Sequence, residues 1–248
     1  MRKFGLIGYP LQHSFSKKHF SEKFKRLNLH DCIYENFELA EIGEISSLLE
    51  QEENLEGFNV TIPHKESIIR YCERLDEHAK AIQAVNVVKI MNGKLSGYNS
   101  DFEGFRRAIE NWIPDTDIKA LILGTGGASK AISYALERLN IDHQFVSRTP
   151  KNDSFSYAYL NEQGELLESY RLIVNTTPLG TFPNVEGYPD LPYQHLTSKH
   201  YLYDLVYNPP TTAFMKKGLE KRAKVMNGQE MLEIQAEMAW EIWNSDGV

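Results

Sequence analysis

Residues 119–139 read KALILGTGGASKAISYALERL, and this stretch decides the fold. Lys119–Leu123 is a compact apolar run with the character of a buried strand, and the residues after Gly127 continue as a helix to about Leu139. Between them, Gly124, Gly126 and Gly127, followed by Ala128, make a strand–turn–helix junction. Backbone N–H groups and a helix N-terminus at such a junction can receive a pyrophosphate. The sixth position of the glycine pattern is Ser129, so the fingerprint is incomplete and a plain structural turn is the competing reading. The next strand, Gln144–Ser147, runs into Ser147-Arg148-Thr149. A site for NAD usually places an acid there; a guanidinium and two hydroxyls suit the 2′-phosphate of NADP, with Lys151 as a further cation.

Outward from this core, Leu172–Asn175 and Tyr201–Val206 read as further parallel strands, whereas residues 152–170 are too irregular to assign. Toward the N-terminus, strands are expected at Lys3–Gly8, Cys32–Phe37, Gly57–Ile62 and Ala84–Met91, the last ending in the turn Asn92-Gly93. Helices are expected at His19–Leu27, Ile42–Glu50 and Glu66–Leu75. The alternation predicts an α/β chain with two lobes, the second beginning near Phe102. Gln229–Asn244 is an amphipathic helix with Met231, Leu232, Met238, Ala239, Ile242 and Trp243 on one face, able to pack on either lobe.

A chain of 248 residues, 42% hydrophobic and 25% charged, suits one or two globular domains. Its net charge of −7 argues against a general nucleic-acid binder, which needs a basic surface. The charged N-terminus lacks a following apolar segment, and no run approaches a membrane span, so a cytoplasmic protein without a membrane partner is expected. Cys32 and Cys72 are far apart, outside any CxxC context, and read as idle thiols in a reducing compartment. The histidines are scattered, and no metal site is expected; His13 and His64 read as loop residues.

Several polar residues look out of place. Ser14 and Ser16 follow the first strand, where two hydroxyls can either hold a carboxylate or cap the next helix. Asn59 and Thr61 share one face of a strand, and Lys65 stands at the start of the expected helix, against its dipole. That placement makes Lys65 a candidate proton-transfer group, with a solvated lysine as the alternative. Ser100 with Glu103 fits a capping box, which leaves Asp101 able to pair with a cation such as Lys65. Gln235 interrupts the apolar stripe of the last helix and needs partners, from the protein or from a ligand.

Taken in order, NVTIPHKE at Asn59–Glu66, AVN at Ala84–Asn86, GYNSDFEG at Gly97–Gly104, GTGGASKA at Gly124–Ala131 and YDLVYNPPTT at Tyr203–Thr212 resemble the shikimate dehydrogenase family. The resemblance spans essentially the whole chain. It implies a substrate-binding lobe at 1–101 completed by 229–248, and a Rossmann-like NADP lobe at 102–228. It implies Ser14, Ser16 and Tyr207 on the ring carboxylate of a small-molecule substrate, shikimate or 3-dehydroshikimate. Asn59, Thr61, Asn86 and Gln235 would meet the ring hydroxyls, and Lys65 with Asp101 would form the catalytic pair. Gly124, Gly126, Gly127 and Ala128 would meet the pyrophosphate, and Ser147, Arg148 and Thr149 the 2′-phosphate. Leu205 and Gly228 would lie near the nicotinamide. The implied activity is the reversible NADPH-dependent reduction of 3-dehydroshikimate, in chorismate and aromatic amino-acid biosynthesis, by a monomer or homodimer. Alternatives are a quinate/shikimate dehydrogenase using NAD or both cofactors, a related dehydrogenase acting on an aminated ring, and a non-catalytic NADP-binding sensor. Departures from the family pattern are Lys17 for proline, Phe20 for asparagine, Ser100 for threonine, Asn152 for arginine and Glu230 for glycine.

Overall fold

The computed structural model describes residues 1–11, 15–110, 112–114, 117–151 and 154–245. The chain divides into two compact units, Met1–Ser100 with Gln235–Val248, and Asp101–Ile234.

The first unit is built on a mixed six-stranded sheet. Its strands are β1 (Arg2–Gly8), β2 (Cys32–Glu38), β3 (Leu55–Val60), β4 (Arg74–Leu75), β5 (Val87–Met91) and β6 (Lys94–Tyr98), in the order β2-β1-β3-β5-β6-β4. Helices α1 (Phe15–Arg26), α2 (Ile45–Gln51) and α3 (Glu77–Ile82) connect them. Alternation along β1 separates two apolar layers: Ile7 joins a layer with Phe58, Val60 and Ile68, while Phe4 and Leu6 join one with Phe20, Phe24, Tyr34 and Trp243. Asn59 lies between Phe58 and Val60 and therefore projects toward the second layer, where it meets Tyr34. The Asn92-Gly93 turn has positive φ at both residues, 51° and 73°, as a tight hairpin requires. Its return strand, β6, was not expected from the sequence.

One expectation fails here. Glu66–Leu75 is not an α-helix; it is a 3₁₀ helix over Ser67–Tyr71 followed by β4. The segment is drawn into the sheet edge, where Glu73 and Asp76 donate backbone hydrogen bonds to Leu95 and Gly97 on β6. Lys65 consequently precedes a short 3₁₀ turn, and the argument from a full helix dipole lapses.

The second unit carries a wholly parallel sheet. Helix α4 (Asp101–Glu110) leads into β7 (Ala120–Leu123), α5 (Gly127–Arg138), β8 (His143–Ser147), β9 (Phe155–Ser156) and α6 (Tyr157–Glu162). Then come β10 (Leu172–Asn175), β11 (Tyr201–Asp204), α7 (Ala213–Glu220), β12 (Lys224–Asn227) and the start of α8 (Gln229–Asn244), whose residues from Gln235 on belong to the first unit. The order β9-β8-β7-β10-β11-β12 reverses direction between β7 and β10. This is the doubly wound Rossmann arrangement, in which ligands bind beyond the carboxyl ends of the strands at the reversal. Every residue of β7, β10 and β11 is buried, as a sheet covered on both faces demands. Sequence periodicity left β9, β12, α6 and α7 unassigned because each is only one or two turns, or two to four strand residues, long.

Two anchors hold these units. In the first, the Trp243 indole stacks on Phe4 at 4.8 Å, contacts Phe20 at 5.3 Å and donates to the Val88 carbonyl at 3.0 Å. Trp243→Ala is expected to cost about 3–5 kcal/mol in urea unfolding; a loss below about 1 kcal/mol would mean that the end of α8 is not anchored there. In the second, fully buried Asp204 accepts from Asn175 Nδ2 at 2.9 Å, Val206 N at 3.1 Å and Thr212 Oγ1 at 2.6 Å, tying β10, β11 and the start of α7. Burial pushes its carboxyl up to about 6, outweighing the three donors. Folding therefore favours the neutral form, which adds stability below about pH 4 that is lost as the pH rises through about 6. Asp204→Asn is expected to flatten the change in unfolding free energy between about pH 4 and about pH 7 by on the order of 2 kcal/mol. An unaltered pH dependence would remove Asp204 as its source.

Candidate functional site

Two groups of polar residues, one in each unit, are not accounted for by packing alone. In the first unit a row of hydrogen-bonded side chains runs through the interior. Ser16, in the first turn of α1, is buried, and its hydroxyl pulls the Tyr34 phenol down. Tyr34 donates to Asn59 Oδ1 at 2.7 Å, and Asn59 Nδ2 donates to the Asn86 carbonyl at 3.3 Å. Asn86 Oδ1 accepts from the Ser100 backbone N–H at 2.7 Å, and Asn86 Nδ2 donates to Ser100 Oγ at 3.0 Å. A longer bond of 3.4 Å joins Asn86 Nδ2 to Gln235 Oε1, while Ser100 Oγ reaches the Gln235 carbonyl at 3.2 Å. Ser16, Asn59, Asn86, Ser100 and Gln235 are each at most 8% exposed. The Tyr34 phenol is raised well above its ordinary range by burial, against the pull of the Ser16 hydrogen bond.

Thr61 follows β3 and is held by its backbone N–H to the Ile7 carbonyl at 2.9 Å. Lys65 is half-buried, and its carbonyl accepts from Val85 N at 2.7 Å, which ties the lysine's backbone to the segment leading to Asn86. His64 is buried, with Nε2 against the Leu39 carbonyl at 2.7 Å, so it serves the loop's structure. Asp101 opens α4 and is buried. The expected capping box does not account for its neighbours: Ser100 engages Asn86 and Gln235, and Glu103 binds Arg106 and Arg107, which hold its carboxyl down at about 2. His13, Ser14 and Asn152 lie outside the described residues.

In the second unit the expected cofactor residues gather at the carboxyl ends of the parallel strands. Gly124 leaves β7 at φ 118°, donates to the Val146 carbonyl at 2.9 Å, and has no room for a Cβ, which would meet Thr176 Oγ1 at 2.7 Å. Gly126 caps α5 with open space on its side-chain face, so the protein's own packing does not require glycine there. Exposed backbone at that helix N-terminus, running on into Gly127 and Ala128, is what an incoming pyrophosphate needs. Ser147 ends β8 beside the glycine turn, and Arg148 and Thr149 follow it. The Ser147 hydroxyl closes this turn onto Thr149 N at 3.2 Å, and Arg148 is exposed with its charge felt by the Tyr157 phenol. Leu205 and Gly228, past β11 and β12, are in direct contact: a side chain at Gly228 would collide with the Leu205 carbonyl. Tyr207 is half-buried in the segment after β11.

The sequence reading missed three contributors. Tyr34 looked like an ordinary strand aromatic, and only its cross-sheet neighbour Asn59 gives it a polar role. Thr176, just past β10, bonds Ser129 at 2.6 Å and the Leu123 carbonyl at 2.6 Å, bracing the glycine loop. Asp204 stood in a quoted motif without a role; an acid ending an apolar parallel strand was the available signal. The two cysteines are free, and burial raises both thiols, Cys72 to about 11. Among the described residues no helix is long and apolar enough to cross a membrane.

Known proteins place this arrangement. Residues 6–88 match the family model for the shikimate dehydrogenase substrate binding domain. The chain is 36% identical to the shikimate dehydrogenase (NADP(+)) of Caldicellulosiruptor bescii, over 97% of this chain and 89% of that protein. It is 34% identical to the shikimate dehydrogenase (NADP(+)) of Methanococcus maripaludis, over 96% and 90% respectively. Among solved structures, it matches the shikimate 5-dehydrogenase of Thermus thermophilus in complex with NADP(H) and shikimate, with a TM-score of 0.85, 29% identity, and coverage of 98% of this chain and 94% of that one. With the family model matched over residues 6–88 and relatives more than 30% identical along nearly its whole length, this chain belongs to the shikimate dehydrogenase family.

Proposed function

We propose that this chain catalyses the reversible NADPH-dependent reduction of 3-dehydroshikimate to shikimate, as a cytoplasmic monomer or homodimer in chorismate and aromatic amino-acid biosynthesis. The observation that carries the reading is the buried polar row in the first unit, a costly feature for a core that gains nothing from it in packing. The second unit fits NADP: the glycine turn leaves backbone exposed at Gly126, and Arg148 stands at the end of β8 with no acid in its turn. The first unit is thus the substrate lobe and the second the dinucleotide lobe.

When bound, the dinucleotide supplies a hydride for the carbonyl carbon at ring position 3. Gly124, Gly126, Gly127 and Ala128 hold its pyrophosphate; Ser147, Arg148 and Thr149 hold the 2′-phosphate; Leu205 and Gly228 border the nicotinamide. Ser14, Ser16 and Tyr207 hold the ring carboxylate, and Asn59, Thr61, Asn86 and Gln235 orient the ring through its hydroxyls. As the carbonyl is reduced, negative charge grows on its oxygen, and the Lys65 ammonium delivers the proton that neutralises it. Asp101 is the second member of the proposed catalytic pair. In the oxidation direction the neutral Lys65 amine takes the hydroxyl proton. A sensor would need no such acid–base pair.

Lys65→Ala is expected to lower kcat at least about 100-fold while the KM for shikimate changes less than about threefold. A large rise in KM with kcat intact would reassign Lys65 to binding. Arg148→Ala is expected to raise the KM for NADP by about tenfold or more and leave the KM for NAD nearly unchanged. Equal losses with both dinucleotides would separate Arg148 from the 2′-phosphate and favour a dual-cofactor enzyme.

A further inference from the structure

Tyr34 belongs to no motif that defines the family reading, yet it bonds Asn59, a residue assigned to the ring acid. We infer that Tyr34 is a positioning residue of the substrate site, whose hydroxyl fixes the Asn59 amide with its N–H groups toward the ligand side. The inference rests on the proposed function and names a further residue of the same site.

The direction of the hydrogen bonds follows from chemistry. Asn59 Oδ1 can only accept, so the single Tyr34 proton goes to it, at 2.7 Å. With Oδ1 held by Tyr34, the Asn59 amide cannot turn over, and Nδ2 is committed to donating, one N–H going to the Asn86 carbonyl at 3.3 Å. A ligand at Asn59 therefore meets a donor and must offer an oxygen lone pair, as a ring hydroxyl or ketone does. The Tyr34 ring itself is clamped by Phe20, stacked at 4.6 Å and 12°, and by Trp243 at 6.3 Å. The hydroxyl consequently holds its place without a ligand.

The test is Tyr34→Phe, which keeps the stacked ring and removes only the hydroxyl. Expected results are a rise of about tenfold in both the KM and the calorimetric Kd for shikimate, with kcat within about twofold of the parent. In the background of Asn59→Ala the same change should have almost no further effect on KM, because Tyr34 acts through Asn59. A parent-like KM in Tyr34→Phe, or full additivity with Asn59→Ala, would overturn the inference. A parent protein that reduces NADP with no shikimate dependence would sink the proposed function itself, and the inference with it. Should Tyr34→Phe not fold, NMR of the parent protein decides: a slowly exchanging Tyr34 hydroxyl proton close to the Asn59 amide protons supports the inference, and rapid exchange with solvent overturns it.

Discussion

A buried amide must be hydrogen-bonded, and that requirement organises the first unit. Leaving one such group unpaired costs about 1–3 kcal/mol. Asn59 and Asn86 meet it by pairing with each other's neighbourhood: Asn59 binds the Asn86 carbonyl, and Asn86 binds both the backbone and the side chain of Ser100. The antiparallel pairing of β3 with β5 brings these segments together, since Asn59 stands opposite Val87 and Val60 donates to Asn86. Gln235 enters the row from α8, so the helix is seated by a polar contact as well as by Trp243. A core arranged this way carries polar order that hydrophobic residues would have avoided, which is why the row supports the proposed substrate site.

The second unit obeys a different constraint. Parallel strands held in register end at the same level, so the turns after β7, β8, β10 and β11 form one edge. Gly124 must be glycine because its φ is positive and Thr176 occupies the space of a Cβ. Gly126 faces open space, which is the opposite reason for the same residue. Asp204 and Asn175 lock the strand ends, and ionisation of the Asp204 carboxyl is expected to trade against stability as the pH rises from about 4 through about 6.

Much of this was legible in the sequence. The compact apolar run before Gly124 marked β7, and the largely apolar runs Leu172–Asn175 and Tyr201–Val206 marked β10 and β11, because strands covered on both faces are mostly apolar. Gln235 was visible as a break in a 3.6-residue stripe. The 3₁₀ segment at Ser67–Tyr71 was not, because edge pairing with β6 overrides a local helical pattern and leaves no trace in periodicity. Tyr34 escaped for a related reason: a strand aromatic acquires its polar role only from the residue across the sheet. The bonds that make Tyr34, Asn59, Asn86 and Ser100 a row span 14 to 27 residues of sequence, and no local pattern encodes them.

The central claim is that this chain exchanges a hydride between NADP and shikimate. The direct measurement is the rise of NADPH absorbance when the purified protein is given NADP and shikimate together. The account predicts reduction that saturates in both reactants and is absent when either is omitted. Intact binding of shikimate and NADP without any reduction, across a range of pH, would contradict it and leave a sensor on the same fold.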